Sequence, residues 1–546
     1  MSTSRHGADG APLQFGWDNR YPSVRTPVFA RNVVSTSQPL AAQAGLATLR
    51  QGGNAVDAAI AAAAVIALVE PVSNGLGSDC FAIVWADGKL HGLNASGWSP
   101  AAWDPAYFKR VGDGTIPQRG WNSVSVPGCV AAWGALHDKF GKLPFEQLLG
   151  PAIEYAERGY AVATIVQRKW QAQVDILQNQ PGFREHFMPH GRAPHVGERF
   201  VPEGAAATLR RLAQSRGRDF YEGETASRLV AHSKANGGAL SAADLSEYRP
   251  EWVAPIGVDY RGYTFHELPP NGQGIAALMA LGILRHFDVA GLDPDSAESV
   301  HLQIEAMKCA FADVYQHVAD PEHMKVRPAD LLDDGYLRER AALISKDKAT
   351  DFRHGTPPAG GTIYMSTADE SGMMVSFIQS NYMGFGSGVV VPGTGVSLQN
   401  RGFGFSTDKA HVNVVAPRKR PFQTIIPAFL TCAGQPVMSF GVMGGNMQPQ
   451  GHMQTLTRIL DHRQNPQAAC CAPRFKVHRG LDVDLEATIA KPVAKALAAL
   501  GHNITATEDP YMDFGSGQFI WRLTDDMKDG YVAASDSRRD GHAAGY

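Results

Sequence analysis

The residues best placed to do chemistry are a hydroxyl and the peptide bond in front of it. Thr362 opens a strand-like run to Asp369, behind Gly360-Gly361 and a linker from Asp351 whose Pro357, Pro358 and glycines suit neither a helix nor a central strand. If the Gly361–Thr362 bond is cut, Thr362 acquires a free α-amine beside its own hydroxyl, and that amine can serve as the base that activates the nucleophile. Glycines at 360 and 361 tolerate the strained backbone that an N-to-O acyl shift requires. On local sequence alone the alternative stays open, because strands favour threonine and Thr362 is then one more strand residue.

The elements around it read as follows. After a turn at Asp369-Glu370-Ser371-Gly372 the chain returns as Met373 to Ser380, a hairpin marked by β-branched and aromatic arms. Near the N-terminus, Ser37 and Pro39 open a helix that Gly52-Gly53 ends, and Asn54 caps an alanine-rich helix that Pro71 stops. Phe81 to Trp85 reads as a buried strand, joined through Asp87-Gly88 to a partner at 90–94. From about Pro144 to Thr350 helical patterns dominate, at 151–158, 205–214, 225–236, 274–286 and 296–314, broken by strand-like residues at 248–268. Strands return at 362–380, 388–398, 425–431 and 435–441, and helices follow at 448–461 and 487–500. This order supports an α+β fold, with helices around a two-layer sheet.

Composition narrows the function. A chain of 546 residues allows two to four compact units at ~150 residues each. Net charge −3, with 19% charged and 44% hydrophobic residues, describes an ordinary globular protein and gives no footprint for nucleic acid. Arg418-Lys419-Arg420, bracketed by Pro417 and Pro421, reads as a turn, or as a place where Arg420 pins a carboxylate. The longest apolar run, 58–69, is short of the ~20 residues that span a bilayer, so no membrane segment is expected. Six scattered cysteines without C-x-x-C, and a polar segment from Met1 to about Arg31 without a secretory core, point to reduced thiols and a cytoplasmic location. Gly384 to Gly388 lacks the strand–loop–helix context of a dinucleotide loop, and G-x-x-x-x-G-K-[ST], H-E-x-x-H and G-x-S-x-G are all absent. No cofactor and no metal are expected.

Several motifs resemble the gamma-glutamyltransferase (glutathione hydrolase) family. They include Thr362-x-Tyr364-x-Ser366, Gly384-Phe385-Gly386-Ser387-Gly388, Arg420-Pro421 and Gly444-Gly445. Upstream lie Gln51-Gly52-Gly53-Asn54-Ala55-Val56-Asp57, Glu70-Pro71, Asn74 to Asp79, Val126-Pro127-Gly128, Leu143-Pro144-Phe145 and Phe220 to Glu224, and downstream Asn465-Pro466-Gln467. The resemblance runs in order from about Ser35 and is closest to the glutathione hydrolase-like and cephalosporin acylase-like subgroup. It implies a four-layer αββα N-terminal-nucleophile hydrolase sandwich, built jointly by two autoproteolytic fragments. The implied divisions are a polar segment 1–34, a mainly helical large subunit 35–361 with some sandwich strands, and a small subunit 362–546 that begins at the nucleophile. The two fragments are expected to pair as a heterodimer, or as a dimer of heterodimers.

By the same resemblance Thr362 is the nucleophile, Ser380 is the second hydroxyl beside it and Gly444-Gly445 supply oxyanion donors, with an ordinary strand serine and a tight turn as the alternatives for the latter two. The substrate pocket departs from the family pattern. The arginine that holds a glutamyl α-carboxylate falls at Ser96, within Ser96-Gly97-Trp98-Ser99-Pro100, and the aspartate that pairs with the α-amino group falls at Gly404. The asparagine on the glutamyl head falls at Tyr382, the two carboxylate-binding serines fall at Gln423 and Thr424, and Arg401, after Asn400, stands where the family often has an uncharged residue. Loss of a charge-assisted contact costs ~1.5–3 kcal/mol, so the pocket is expected to hold a carboxylate on a less amino-acid-like acyl group, with Arg401, Trp98 and Tyr382 lining it. Three readings follow. The first is a threonine amidohydrolase that cleaves a carboxylate-bearing acyl amide, nominally γ-glutamyl compounds such as glutathione. The second is an oxamate-type small-amide hydrolase or a glutaryl or cephalosporin acylase, and the third is an unprocessed binding or scaffold protein.

Overall fold

The computed structural model describes residues 25–353, 361–508 and 514–546. Most of the expected linker before Thr362, residues 354–360, lies outside them, as do residues 1–24 of the polar N-terminal segment.

Two seven-stranded antiparallel sheets face each other. One runs, in spatial order, His542–Gly545, Val33–Thr36, Gly361–Ala368, Met374–Tyr382, Asp79–Ala86, Lys89–Ala95 and Glu251–Val253. The other runs Val28–Ala30, Tyr531–Ser535, Ser516–Arg522, Gln435–Met443, Ala428–Cys432, Tyr263–Glu267 and Ile256–Tyr260. Phe81, Ile83, Tyr364, Ile378, Ile425, Phe429 and Ile520 form the core between them. Strands from both sides of Thr362 interleave in both sheets, so neither part of the chain closes the sandwich alone.

Helices cover the outer faces. Ala55–Val69 is buried along its whole length. Its alanines let it lie close on the nucleophile hairpin, where Thr367 Oγ1 donates to Ala55 O at 2.6 Å and Gln379 Nε2 to Ala63 O at 3.1 Å. Asn54 and Asp57 form the reciprocal capping box that starts it. On the other side, Gly274–Leu284 and Met447–Leu456 pack on the second sheet, with Ala297–His317 outside them. The result is four layers, helix–sheet–sheet–helix.

Because every inner strand is covered on both faces, burial runs continuously along the central ones. All nine residues of Met374–Tyr382 are buried. Strand identity here rests on β-branched content and turns rather than on alternation.

Three sequence expectations change and one open alternative is resolved. The polar lead-in ends before residue 34, since Val28–Ala30 pairs with Tyr531–Ser535 and Val33–Thr36 pairs with the nucleophile strand. Gln38, whose side chain accepts from Leu40 N, caps the first helix, while Ser37 Oγ instead donates to buried Glu70 at 2.6 Å. The 388–398 strand reduces to the pairs Val390–Val391 and Val396–Ser397, since Gly393 and Gly395 turn it at φ +68° and +67°. Arg420 lies in an ion pair, its Nη2 2.9 Å from Glu251 Oε1.

Candidate active site

Thr362 lies in a bulge of the nucleophile strand, between the pairs Gly361↔Tyr382 and Ile363↔Gln379, and is buried. The hairpin brings Ser380 to it. Ser380 Oγ is 3.0 Å from Thr362 Oγ1, 2.7 Å from Gly361 O and 2.8 Å from Tyr382 N. A serine hydroxyl has one proton and two acceptor sites. The Gly361 carbonyl can only accept, so Ser380 donates to it and accepts from the Thr362 hydroxyl and the Tyr382 N–H. This one oxygen therefore touches both the nucleophile and the carbonyl before it. The Tyr382 backbone that makes this possible is left-handed, at φ +77°, a conformation that costs of order 1–3 kcal/mol in a residue with a side chain.

The glycine pair lies across the sandwich. Ser366 Oγ donates to Ser439 O at 3.1 Å, and two residues on, the Tyr364 ring fills the space above Gly441. Met443, packed in the same core as Tyr364, immediately precedes Gly444-Gly445. Those glycines take φ +123° and +63°, and the helix Met447–Leu456 begins just beyond them. Their N–H groups therefore sit at the positive end of a helix, and neither is taken up by a hydrogen bond among the described residues. Gln273 Nε2 fixes the loop by donating to Gly445 O at 2.8 Å and Thr424 O at 2.7 Å.

Beside Tyr382, which pairs with Gly361, lies a buried cation. Arg401 is fully buried, its Nη1 donates to Thr424 Oγ1 at 2.8 Å, and its guanidinium lies 4.0 Å from the centre of the Tyr382 ring. Its Nε and Nη2 have no hydrogen-bond partner among the described residues. The nearest anion is Asp79, with Oδ2 4.0 Å from Nε. Burial outweighs their mutual attraction in both groups, so Arg401 falls to about 10 and Asp79 rises to about 7. Asp79 is the functional candidate that sequence reading missed. In the sequence it is the last residue of the stretch Asn74 to Asp79, and only its position opposite Ser380 in the sheet distinguishes it.

The other candidates divide by what already engages them. Gln423 Nε2 donates to Asp79 Oδ2 at 2.7 Å and reaches Ser96 Oγ at 3.4 Å, while its Oε1 is buried without a partner. Ser96 Oγ also accepts from Asn271 Nδ2 at 3.1 Å, so it belongs to the wall that holds Gln423. Asn400 is committed to the backbone, accepting from Met383 N and donating to Gln118 O at 2.8 Å. Trp98 stacks edge-on against Tyr248 and donates to Asp244 O at 3.3 Å, on the helical side of this wall. Among the described residues, one group has the spacing to hold a metal ion, His301, Glu305 and His502, but Lys308 Nζ already lies 2.5 Å from Glu305 Oε1.

A hydroxyl held against the preceding carbonyl, in a four-layer sandwich, defines an N-terminal-nucleophile hydrolase. The gamma-glutamyltranspeptidase family profile matches residues 41–546, and the chain belongs to that family. A cephalosporin acylase from Bacillus halodurans superposes with a TM-score of 0.93 at 46% identity, covering 98% of this chain and 99% of that one. The oxamate amidohydrolase proenzyme of Klebsiella pneumoniae subsp. pneumoniae is 38% identical over 520 residues, 93% of this chain and 97% of its own. The glutathione hydrolase-like YwrD proenzyme of Bacillus subtilis is 35% identical over 534 residues, 95% of this chain and 99% of its own. The protein is an autoprocessing amidohydrolase made as a proenzyme, and the scaffold reading is set aside. No helix among the described residues is long and apolar enough to cross a membrane.

Proposed function

We propose that the chain cuts itself between Gly361 and Thr362 and then hydrolyses amides whose acyl group carries a carboxylate, through an acyl-Thr362 intermediate. The observation that carries this is the single Ser380 oxygen bridging Thr362 Oγ1 and Gly361 O. In processing, Thr362 Oγ attacks the Gly361 carbonyl carbon while its proton passes to Ser380 Oγ and the proton of Ser380 passes to the carbonyl oxygen, from which it moves to the nitrogen in the next step. The Gly361–Thr362 C–N bond breaks as the nitrogen takes up a proton, and water hydrolyses the resulting ester. In turnover the freed α-amine takes the Thr362 hydroxyl proton and later returns it to the leaving amine. Preorganised N–H groups at Gly444 and Gly445 would meet the tetrahedral oxyanion.

Arg401 supports the substrate class. A buried guanidinium with two unpartnered N–H directions is matched by a carboxylate, which accepts in a bidentate fork. Oxamate and glutaryl-type acyl groups share such a carboxylate and lack an α-ammonium, and the relatives include ones named for oxamate and cephalosporin beside those named for glutathione. The two fragments remain paired as a heterodimer, because both sheets need strands from each. The test is a panel of γ-glutamyl, glutaryl, succinyl and oxamyl amides with an acetyl amide as control. At least one carboxylate-bearing acyl group should exceed the acetyl amide by two orders of magnitude or more in kcat/KM. An enzyme that prefers the acetyl amide refutes the substrate class.

A further inference from the structure

Ser380 touches Thr362 on one side, and on its other side its cross-strand partner is Asp79. Residues directly opposite on adjacent strands hold their Cβ atoms about 5 Å apart on one face. Thr362, Ser380 and Asp79 therefore form a row across three strands. Asp79 is fully buried, with Oδ1 accepting from Gly97 N at 3.1 Å and Oδ2 from Gln423 Nε2 at 2.7 Å. Each oxygen keeps a further site. Arg401 Nε, at 4.0 Å, is too far to fill one, and Nε and Nη2 stay unpartnered in the same buried wall.

Other titratable groups act on Asp79 weakly. Cys80, Cys129, Tyr221 and Tyr248 face it and are held neutral by burial, and Arg420, beyond Tyr248, pairs with Glu251. Arg401 is the charged group that bears on it directly.

We propose that Asp79 is a specificity-determining residue that reads whether the acyl head carries an ammonium, donating a hydrogen bond in its neutral form to a carboxylate on Arg401 and accepting from an ammonium when ionised. This rests on the reading of Arg401 as the carboxylate site. A bare acyl carboxylate brings a second anion beside Asp79, and two carboxylates sharing one site do not both stay ionised, whereas an ammonium favours the ionised form. Burial already lifts Asp79 to about 7, so both forms are accessible near neutrality.

The experiment compares glutaryl and γ-glutamyl p-nitroanilides on the processed enzyme between pH 6 and 8. Groups that both substrates use, the Thr362 amine above all, cancel in the ratio of their kcat/KM values. Since kcat/KM reports free-enzyme protonation, a group titrating near 7 that favours the two substrates oppositely should lower the glutaryl to γ-glutamyl ratio about a hundredfold over this range. Asp79→Asn should make the ratio of the two values independent of pH between 6 and 8, with the two bands of self-cleavage confirming that the variant folds. A wild-type ratio that stays constant from pH 6 to 8 overturns the proposal, whatever the variant does. Arg401→Ala separates the two readings. If it weakens both substrates while the ratio is flat, Asp79 alone is wrong, and if it weakens neither, the carboxylate site itself is misplaced.

Discussion

Replacing Ser380 with alanine removes one oxygen and three hydrogen bonds, to Gly361 O at 2.7 Å, Tyr382 N at 2.8 Å and Thr362 Oγ1 at 3.0 Å. The first faces the carbonyl that becomes an oxyanion when Thr362 attacks it. Loss of one preorganised oxyanion donor costs ~10²–10³ in rate, or about 2.7–4 kcal/mol. The second loss falls on the ground state, because a buried N–H left without an acceptor costs ~1–3 kcal/mol, here at a residue already in left-handed backbone. The two effects are measured separately. Conversion of precursor to two bands on a denaturing gel, followed from synthesis, should slow at least a hundredfold in Ser380→Ala and recover most of its rate in Ser380→Thr. Thermal melts of Thr362→Ala against Thr362→Ala/Ser380→Ala compare two uncut chains, and the double variant should melt several degrees lower. Precursor of Ser380→Ala that matures at the wild-type rate refutes the bridging role.

Four further outcomes are expected. Thr362→Ala should stop both self-cleavage and turnover, and Thr362→Ser should retain part of each, as read by gel and by amide hydrolysis. Arg401→Ala should raise KM at least tenfold for glutaryl and γ-glutamyl amides while leaving an acetyl amide unchanged. In wild type these two carboxylate substrates should lie within roughly two orders of magnitude of each other at neutral pH, because Asp79, raised to about 7, is there divided between the form that suits each. For stability, Asp79 rises from 3.8 to about 7 on folding, so the folded chain binds the extra proton and stability falls as pH rises between those values. The melting temperature of Asp79→Asn relative to wild type should therefore climb from pH 4 to pH 7 and level off above it.

Much of the fold was legible in residues with a local reason to be where they are. Asn54 with Asp57 marks a helix start, Asp87-Gly88 marks a hairpin, and the β-branched arms around Asp369 to Gly372 mark the nucleophile hairpin. Tyr531–Ser535 and His542–Gly545 are short, rich in small residues and defined by long-range pairing, and Ser516–Arg522 opens on Ser-Gly-Gln, which carries no strand signal. At the site, Thr362 and Gly444-Gly445 stood out through motif resemblance, while Asp79 depends on a register between strands three hundred positions apart in the chain, which no local pattern carries. Trp98 illustrates the opposite error of scale. Proximity in sequence to Ser96 placed it in the pocket, whereas its indole is engaged by Asp244 O and Tyr248.

The central claim is that Thr362 becomes a chain terminus. Intact-mass measurement of purified protein, with N-terminal sequencing of the smaller piece, addresses it directly. The account requires two species, residues up to Gly361 and residues 362–546, the smaller beginning Thr-Ile-Tyr-Met-Ser. Active enzyme that shows only the full-length mass, or a smaller piece that begins at any other residue, contradicts it.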